Sequence, residues 1–244
     1  MQLDLSGGGF WLSGDPCAPS EARHFSGWVL SGGFSQPFVT RTARPMNILS
    51  VLFKPLANVL LTDYRAFELH NQHVPLSSLW GKAATQLAED LVNMTQGGTR
   101  HVEQAVQHLQ KHLLQRLPTD LPASLHHLQH ILEEDTLHSS QELRERLQCS
   151  APTLVKRYRQ HIGLPPRHYL RVQRLKKALE LLASEKLTSV EVALSCGYAD
   201  QAHFNHEFKH ILGFTPGAYR PQHPEHPLNL PFHFLQDAAD FVIP

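Results

Sequence analysis

The sequence predicts a two-domain α+β protein, with a mixed α/β N-terminal half and an all-α C-terminal half. Short runs of Phe, Trp, Val and Leu at residues 24–53 are broken by glycine and proline, which is typical of short strands and turns. Residues 99–116 instead carry apolar side chains at helical spacing. Two prolines within residues 117–123 interrupt this pattern, and helical spacing alone follows them.

The composition is that of a globular protein of 244 residues, 41% of them apolar and 18% charged. Three scattered cysteines argue against a disulfide scaffold. No apolar run approaches the ~18 residues of a membrane helix, so no membrane partner is expected. The N-terminus lacks the basic and apolar pattern of a signal peptide, and a cytoplasmic location is therefore expected.

The N-terminal half is predicted to end in two helices, over residues 83–93 and 99–116, and Thr99 is a suitable N-cap for the second. We interpret the apolar stripe of the second helix as core in preference to a dimer seam. The stripe consists of Val102, Ala105, Val106, Leu109, Leu113 and Leu114.

The chain therefore divides into an N-terminal domain (1–116), a linker (117–123), a helical domain (124–220) and a C-terminal tail (221–244). The tail contains no Lys or Arg and ends with an apolar segment at 241–243. Docking of the tail on the protein and disorder of the tail both stay open.

Positive charge is concentrated in one stretch, although the whole chain has 22 basic and 22 acidic side chains. Ten Lys or Arg residues and a single acid, Glu145, lie between Arg144 and Lys177. Such a cluster is typical of a nucleic-acid surface, and equally of a solvated helix face.

The helical domain contains an internal repeat with an offset of 50 residues. In each copy a Ser or Asp caps a helix, two apolar residues four apart face inward, and a glycine ends the helix. Shorter helices, predicted at 141–147 and 190–196, precede the two copies, which is the helix-turn-helix layout. The matching pairs are Ser150 and Asp200, Leu154 and Phe204, Tyr158 and Phe208, Gly163 and Gly213, Pro166 and Pro216, and Tyr169 and Tyr219.

A longer helix is predicted over residues 167–183, between the two copies. Its inner side is expected to carry Tyr169, Val172, Leu175, Leu179 and Leu182.

Residues 124–220 resemble the DNA-binding domain of the AraC/XylS family of bacterial transcription regulators. The resemblance lies in the motifs GYADQAHFNHEFK (197–209), GFTPGAYR (213–220), GLPPRHYL (163–170) and RLKKA (174–178). It implies two helix-turn-helix units joined by a linker helix, double-stranded DNA and RNA polymerase as partners, and a nucleoid-associated location. Arg144 stands where the family usually has alanine, and its long side chain is expected to extend out of the helix crossing. Gln148 stands in the tight turn where the second unit has Gly197.

By this resemblance, the outward face of each second helix would read the major groove. Lys156 can donate to guanine and Asn205 can bond adenine, while Val155 or Ala202 can touch a thymine methyl. His206 stands where the family often has arginine. The first face has few hydrogen-bonding groups, so weaker sequence readout is expected there. The predicted faces are Pro152, Val155, Lys156 and Arg159 in the first unit, and Gln201, Ala202, Asn205, His206 and Lys209 in the second, with Arg157, Arg159, Lys176 and Lys209 assigned to phosphate.

Residues 24–116 resemble a cupin-like regulator domain that often accompanies such reading heads, through segments 48–55 and 74–81 and the helix after Thr99. The resemblance implies a small-molecule effector or homodimerisation. That domain usually begins with more strands than the sequence offers before residue 24, so a shortened N-terminal domain is expected.

A metal-binding or metal-responsive protein is the alternative hypothesis, because the chain has 18 histidines. His206-Glu-Phe-Lys-His210 matches the HExxH zinc motif, but Pro216 stands where one common pattern has the third ligand. His126, His127 and His130 form another cluster, and Cys17 has no CxxC partner. No other catalytic motif is found, so neither an enzymatic activity nor a cofactor is expected.

Overall fold

Two antiparallel sheets of short strands form the N-terminal half. The computed structural model describes residues 1–13, 22–35, 38–43, 47–57, 61–96, 99–116, 121–134, 139–184, 186–219, 233–235 and 241–243. Its strands are β1 (Gln2–Asp4), β2 (Phe10–Ser13), β3 (Arg23–Phe25), β4 (Val29–Ser31), β5 (Val39–Arg41), β6 (Ile48–Ser50), β7 (His73–Pro75), β8 (His233–Leu235) and β9 (Phe241–Ile243). The strand orders are β6-β1-β4-β7 and β3-β2-β5-β9-β8.

Two strands, β1 and β2, precede residue 24, although the sequence pattern did not indicate them. β1 pairs with both β4 and β6, and β2 pairs with both β3 and β5, so each is an interior strand of its sheet. The Asp4 carboxylate accepts backbone N–H bonds from Ser6, Gly8 and Gly9 and thereby shapes the turn between them. Strands of three and four residues around a glycine-rich turn are too short to display an alternating pattern.

Two described segments of the tail, β8 and β9, join the second sheet. β9 pairs antiparallel with β5, with Val242 opposite Thr40, and β8 pairs with β9.

The helices follow the predicted order, with two additions, at residues 77–80 and 123–133. They are α1 (Ser77–Trp80), α2 (Lys82–Thr95), α3 (Thr99–Arg116), α4 (Ala123–Glu133), α5 (Ser140–Arg146), α6 (Ala151–His161), α7 (Pro166–Ala183), α8 (Ser189–Ser195) and α9 (Gln201–Leu212), with 3₁₀ turns at Ala66–Leu69 and Pro216–Ala218. The helix α4 was not predicted, although its buried residues Leu125, Leu128 and Ile131 follow helical spacing. Along the described residues, no helix is both long and apolar enough to cross a bilayer.

The α3 stripe is core only in its centre. Ala105, Leu109 and Leu113 are buried against the first sheet and α2. Val102 and Leu114 are instead 42% and 71% exposed, so including them in the core was wrong. Both lie at the margins of the stripe, where helical spacing alone does not define the buried width.

The C-terminal half has two hydrophobic clusters, one for each helix-turn-helix unit. Tyr158 and Leu154 lie in the first cluster, with α4 and α5, and Phe204 and Phe208 lie in the second. Burying side chains of this size contributes about 1.5–3 kcal/mol each. The helix α7 supplies residues to both clusters, although Val172, predicted on its inner side, is 38% exposed.

The two halves contact each other where α6 ends. A Cβ on Gly163 would lie 2.7 Å from the carbonyl oxygen of Ala66, so the backbones approach closely there. Leu56 joins the first C-terminal cluster, and Lys54 lies 3.7 Å from Glu133. The packing of the N-terminal half is therefore physically connected to the start of α7.

Candidate nucleic-acid interface

Each predicted reading helix begins at a side-chain cap. The Ser150 hydroxyl accepts the Thr153 N–H at 3.4 Å at the start of α6, and the Asp200 carboxylate accepts the His203 N–H at 2.7 Å at the start of α9. The helices that precede them carry reciprocal capping boxes, from Ser139 in α5 and Thr188 in α8. The repeat predicted from the sequence is thus a repeat of structure.

The turns within the two units share one hydrogen-bond pattern. The amide of Cys149 donates to Arg144, as the amide of Tyr198 donates to Ala193, with both N···O distances at 3.0 Å. The first helix of the second unit, α8, begins 49 residues after the first helix of the first unit, α5. The second helices, α6 and α9, begin 50 residues apart, because the turn of the second unit is longer by one residue, residue 199. Arg144 is exposed whereas Ala193 is fully buried, in agreement with an arginine side chain that extends outward.

The predicted reading faces both lie at the surface. In the first unit Pro152, Val155, Lys156, Arg157 and Arg159 are all exposed. In the second unit Asn205 is half-buried, and the exposed positions are Gln201, Ala202, His206 and Lys209.

Lys176 lies apart from these faces. Its ammonium group is 3.6 Å from Glu180 on the same helix, and its side chain lines a cavity between the two halves of the protein. The structure therefore does not bring Lys176 together with the other predicted contact residues.

A cleft of about 540 Å³ between α7 and α9 gathers positive charge beside the second reading helix. His206 was singled out from the sequence for the reading face, and His206, Glu207 and His210 for the HExxH match. The arginines of α7 were missed, although their spacing of four and three residues places them on one helix face. We call this site the basic cleft; its lining is Arg167, His168, Arg171, Arg174, His203, His206, Glu207 and His210.

Glu207 connects the two sides of the basic cleft. Its Oε2 lies 3.5 Å from Arg171 Nε and 3.8 Å from Arg174 Nη2, and its side chain is only 12% exposed. The Arg174 guanidinium also lies over the Tyr198 ring, 5.3 Å from its centroid. Burial, followed by the charge of Glu207, raises the pKa of the Tyr198 hydroxyl.

The HExxH match does not have the geometry of a metal site. The rings of His206 and His210 lie parallel with centroids 6.4 Å apart, and Glu207 faces two arginines. Within the described ranges no group of three or more His, Cys, Asp or Glu residues could hold a metal ion. Cys17 lies outside the described residues. The metal hypothesis therefore finds no support.

A second cavity, of about 500 Å³, lies between the two halves of the protein. Leu30, Phe38 and Phe53 line it from the N-terminal half, and Val172 and Leu175 line it from α7. His168, Arg171 and Lys176 add polar groups on the α7 side. A molecule in this interdomain cavity would touch the helix that joins the two reading units.

Residues 143–222 match a family model described as a helix-turn-helix domain. The HTH-type transcriptional activator RhaS of Escherichia fergusonii is 34% identical over 114 residues, which cover 46% of this chain and 41% of that relative. The HTH-type transcriptional activator RhaR of Pectobacterium atrosepticum is 40% identical over 76 residues, covering 31% and 27%. The chain thus spans less than half the length of these curated relatives.

Similar solved structures include both single domains and longer chains. The DNA-binding domain of AdpA, the global transcriptional factor, in complex with a target DNA, is 29% identical, with a TM-score of 0.34 over 39% of this chain and 84% of that one. ToxT from Vibrio cholerae O395 is 12% identical, with a TM-score of 0.41 over 88% of this chain and 85% of that one.

Proposed function

We propose that the chain is a sequence-specific, DNA-binding transcription regulator of the AraC family, a proposal supported by the match of residues 143–222 to a helix-turn-helix domain model. The observation that carries the proposal is the pair of capped helices α6 and α9. Each has a buried inner side and an exposed outer face, and α7 joins them. Its site of action is the bacterial nucleoid, and its role involves no catalytic step.

The two reading helices enter successive major grooves on one side of the duplex, about 34 Å apart. Lys156 donates to guanine O6 or N7, and Asn205 makes a bidentate pair with adenine. Val155 and Ala202 contact thymine methyl groups. Pro152, Gln201 and His206 complete the faces, while Arg157, Arg159 and Lys209 contact phosphate.

The second unit supplies most of the sequence specificity in this proposal. Its face carries hydrogen-bonding groups at Gln201, Asn205, His206 and Lys209, whereas base contacts in the first unit rest mainly on Lys156. A side chain that fits one base edge discriminates against the wrong base by about 1–3 kcal/mol.

Residues 1–116 act as the regulatory domain and residues 117–123 as a linker in this proposal. A small, largely apolar effector would occupy the interdomain cavity, whose α7 wall carries Val172 and Leu175. Homodimerisation and contact with RNA polymerase complete the set of partners that we propose.

Selection of bound sequences from a random duplex pool tests the proposal, at about 150 mM salt with a metal chelator present. We expect a motif with two half-sites about one helical turn apart. The Asn205→Ala variant should relax the preference at one adenine in the stronger half-site, and Lys156→Ala should act on the other half-site. No enrichment by the full chain, with or without cell extract as a source of effector, would contradict the proposal.

A further inference from the structure

The basic cleft contains far more hydrogen-bond donors than acceptors. Three arginines and four histidines surround one carboxylate, that of Glu207. His168 Nδ1 and Arg174 Nε are buried and have no hydrogen-bond partner in the described part of the chain, and Arg171 Nε, also buried, has only the ion pair with Glu207. Buried polar groups without a hydrogen-bond partner are destabilising, so an occupant with several acceptor oxygens would stabilise the cleft.

We infer that the basic cleft is a phosphate-binding site between the two reading helices, formed chiefly by Arg167, Arg171 and Arg174. Guanidinium groups form paired N–H···O bonds with phosphate oxygens, and three of them along one helix can surround a tetrahedral anion. The volume of about 540 Å³ is ample for a phosphate group. A bare metal cation would meet repulsion from these arginines.

The position of the basic cleft favours a phosphate of the DNA backbone as the occupant, a preference that rests on the proposed function. His206 belongs both to the reading face of α9 and to the cleft lining. At the other end, burial and then the charges of Arg171, His70, Arg167 and Arg159 lower the pKa of His168, so α6 contributes positive charge there through Arg159. Between two successive major grooves the duplex presents its backbone to this side of the protein.

Glu207 has the role of an internal competitor in this arrangement. Its carboxylate holds Arg171 and Arg174 in position but uses part of their hydrogen-bonding capacity. Glu207→Gln should therefore increase the affinity for phosphate, because it removes the negative charge and retains the size of the side chain. A purely structural role for Glu207 predicts the opposite, since the variant would loosen α7 from α9.

Quantitative binding to the selected duplex, at several salt concentrations, is the first arm of the test. Arg167→Gln, on the exposed first turn of α7, should weaken binding to every sequence about tenfold and lower the salt slope by about 1. Glu207→Gln should tighten binding. Lys82→Gln, a matched charge deletion on α2, should change neither the DNA affinity nor the salt slope. Circular dichroism should report the same helix content for all the proteins.

Single methylphosphonate substitutions in the duplex then locate the phosphate. Replacing the phosphate that occupies the basic cleft should weaken binding of the unsubstituted protein but have no further effect on Arg167→Gln. If every methylphosphonate acts equally on both proteins, a DNA phosphate in the cleft is excluded.

The second arm uses inorganic phosphate and pyrophosphate, titrated into the full chain while the histidine ring protons are followed by NMR. Chloride at equal ionic strength is the control. One possible result is that phosphate causes saturable shifts, that Arg167→Gln abolishes them, and that this variant binds DNA normally. This result would support a phosphate site in the basic cleft whose occupant is a free phosphorylated molecule. No response in either arm would overturn the inference. If the protein binds no duplex at all, the proposed function fails, and the phosphate titration alone decides whether the cleft is a site.

Discussion

Gln148 and Gly197 occupy equivalent positions in the tight turns of the two helix-turn-helix units, and both adopt a left-handed backbone, with φ of 46° and 72°. The amide of Gln148 donates to Glu145 and that of Gly197 donates to Leu194, so one turn geometry has been kept with two different residues. A side chain at such a position costs roughly 1–2 kcal/mol relative to glycine. The first unit therefore carries backbone strain that the second unit lacks.

Gln148→Gly should stabilise the protein by about 1 kcal/mol. Glycine removes this backbone strain, but its greater conformational freedom in the unfolded chain offsets part of the gain. Urea unfolding of both proteins measures the difference. Gln110→Gly, in the exposed middle of α3, is the matched control and should destabilise by about 1 kcal/mol. If both substitutions destabilise the protein, the backbone at Gln148 is not strained.

Gly163→Ala should destabilise more than Gly213→Ala, although both glycines have left-handed backbones, with φ of 88° and 82°. Around Gly213 an added Cβ would meet no atom within 4 Å, whereas at Gly163 it would meet the Ala66 carbonyl at 2.7 Å. We expect each substitution to lower the free energy of unfolding by about 1 kcal/mol through backbone strain. At Gly163, overpacking should lower it by about 1–3 kcal/mol more. Equal losses in denaturant unfolding would mean that the close approach of the two halves contributes nothing.

DNA affinity should rise as the pH is lowered from about 8 to about 5.5, because histidines acquire charge near pH 6.5. His206 lies on the reading face, so added positive charge at this position would act directly on the DNA. The pKa of His168 is lowered, chiefly by burial and then by the charge of Arg171. Other charged groups that face His206 across the basic cleft are Arg167, Arg171, Arg174, His203, Glu207 and His210.

His206→Arg should bind DNA more tightly at neutral pH and with a smaller pH dependence, as measured by fluorescence anisotropy with a labelled duplex. An affinity of the original protein that is constant from about pH 5.5 to 8 would count against this role for His206.

His73 should make the N-terminal half sensitive to acid. Its ring lies against Phe34 and Phe38, and burial, followed by the charge of Arg23, lowers its pKa to about 4. As the pH falls from about 6.5, the unfolded chain takes up this proton first, so stability is complete above 6.5 and is lost towards pH 4. The loss attributable to His73 is at most about 3 kcal/mol.

Urea unfolding at pH 7 and pH 4.5 measures this linkage in the original protein and in His73→Phe, which cannot titrate. The variant gives up a hydrogen bond to Ser31 at both pH values, so only the difference between the two pH values is compared. If the pH dependence of stability is the same in the variant, His73 does not cause the loss of stability at low pH.

Features that depend on residues close together along the chain can be predicted from the sequence. The caps at Ser150 and Asp200, the buried residues such as Tyr158 and Phe208, and the two exposed faces all follow from helical periodicity and local hydrogen bonding. The strands β1 and β2 escaped prediction because three or four residues contain too little periodicity, and their pairing partners lie far along the chain.

The surfaces that the helices present to one another depend on the packing of residues far apart in the sequence. The basic cleft requires the side of α7 with Arg171 and Arg174 to face α9, and Glu207 and Tyr198 set that contact. Lys176, two residues from Arg174, lies on the other side of the same helix and faces the interdomain cavity. Spacing along a helix shows which residues share a face. Which element packs against that face depends on apolar side chains that are distant in the sequence, because the hydrophobic effect is non-directional and specifies no particular partner.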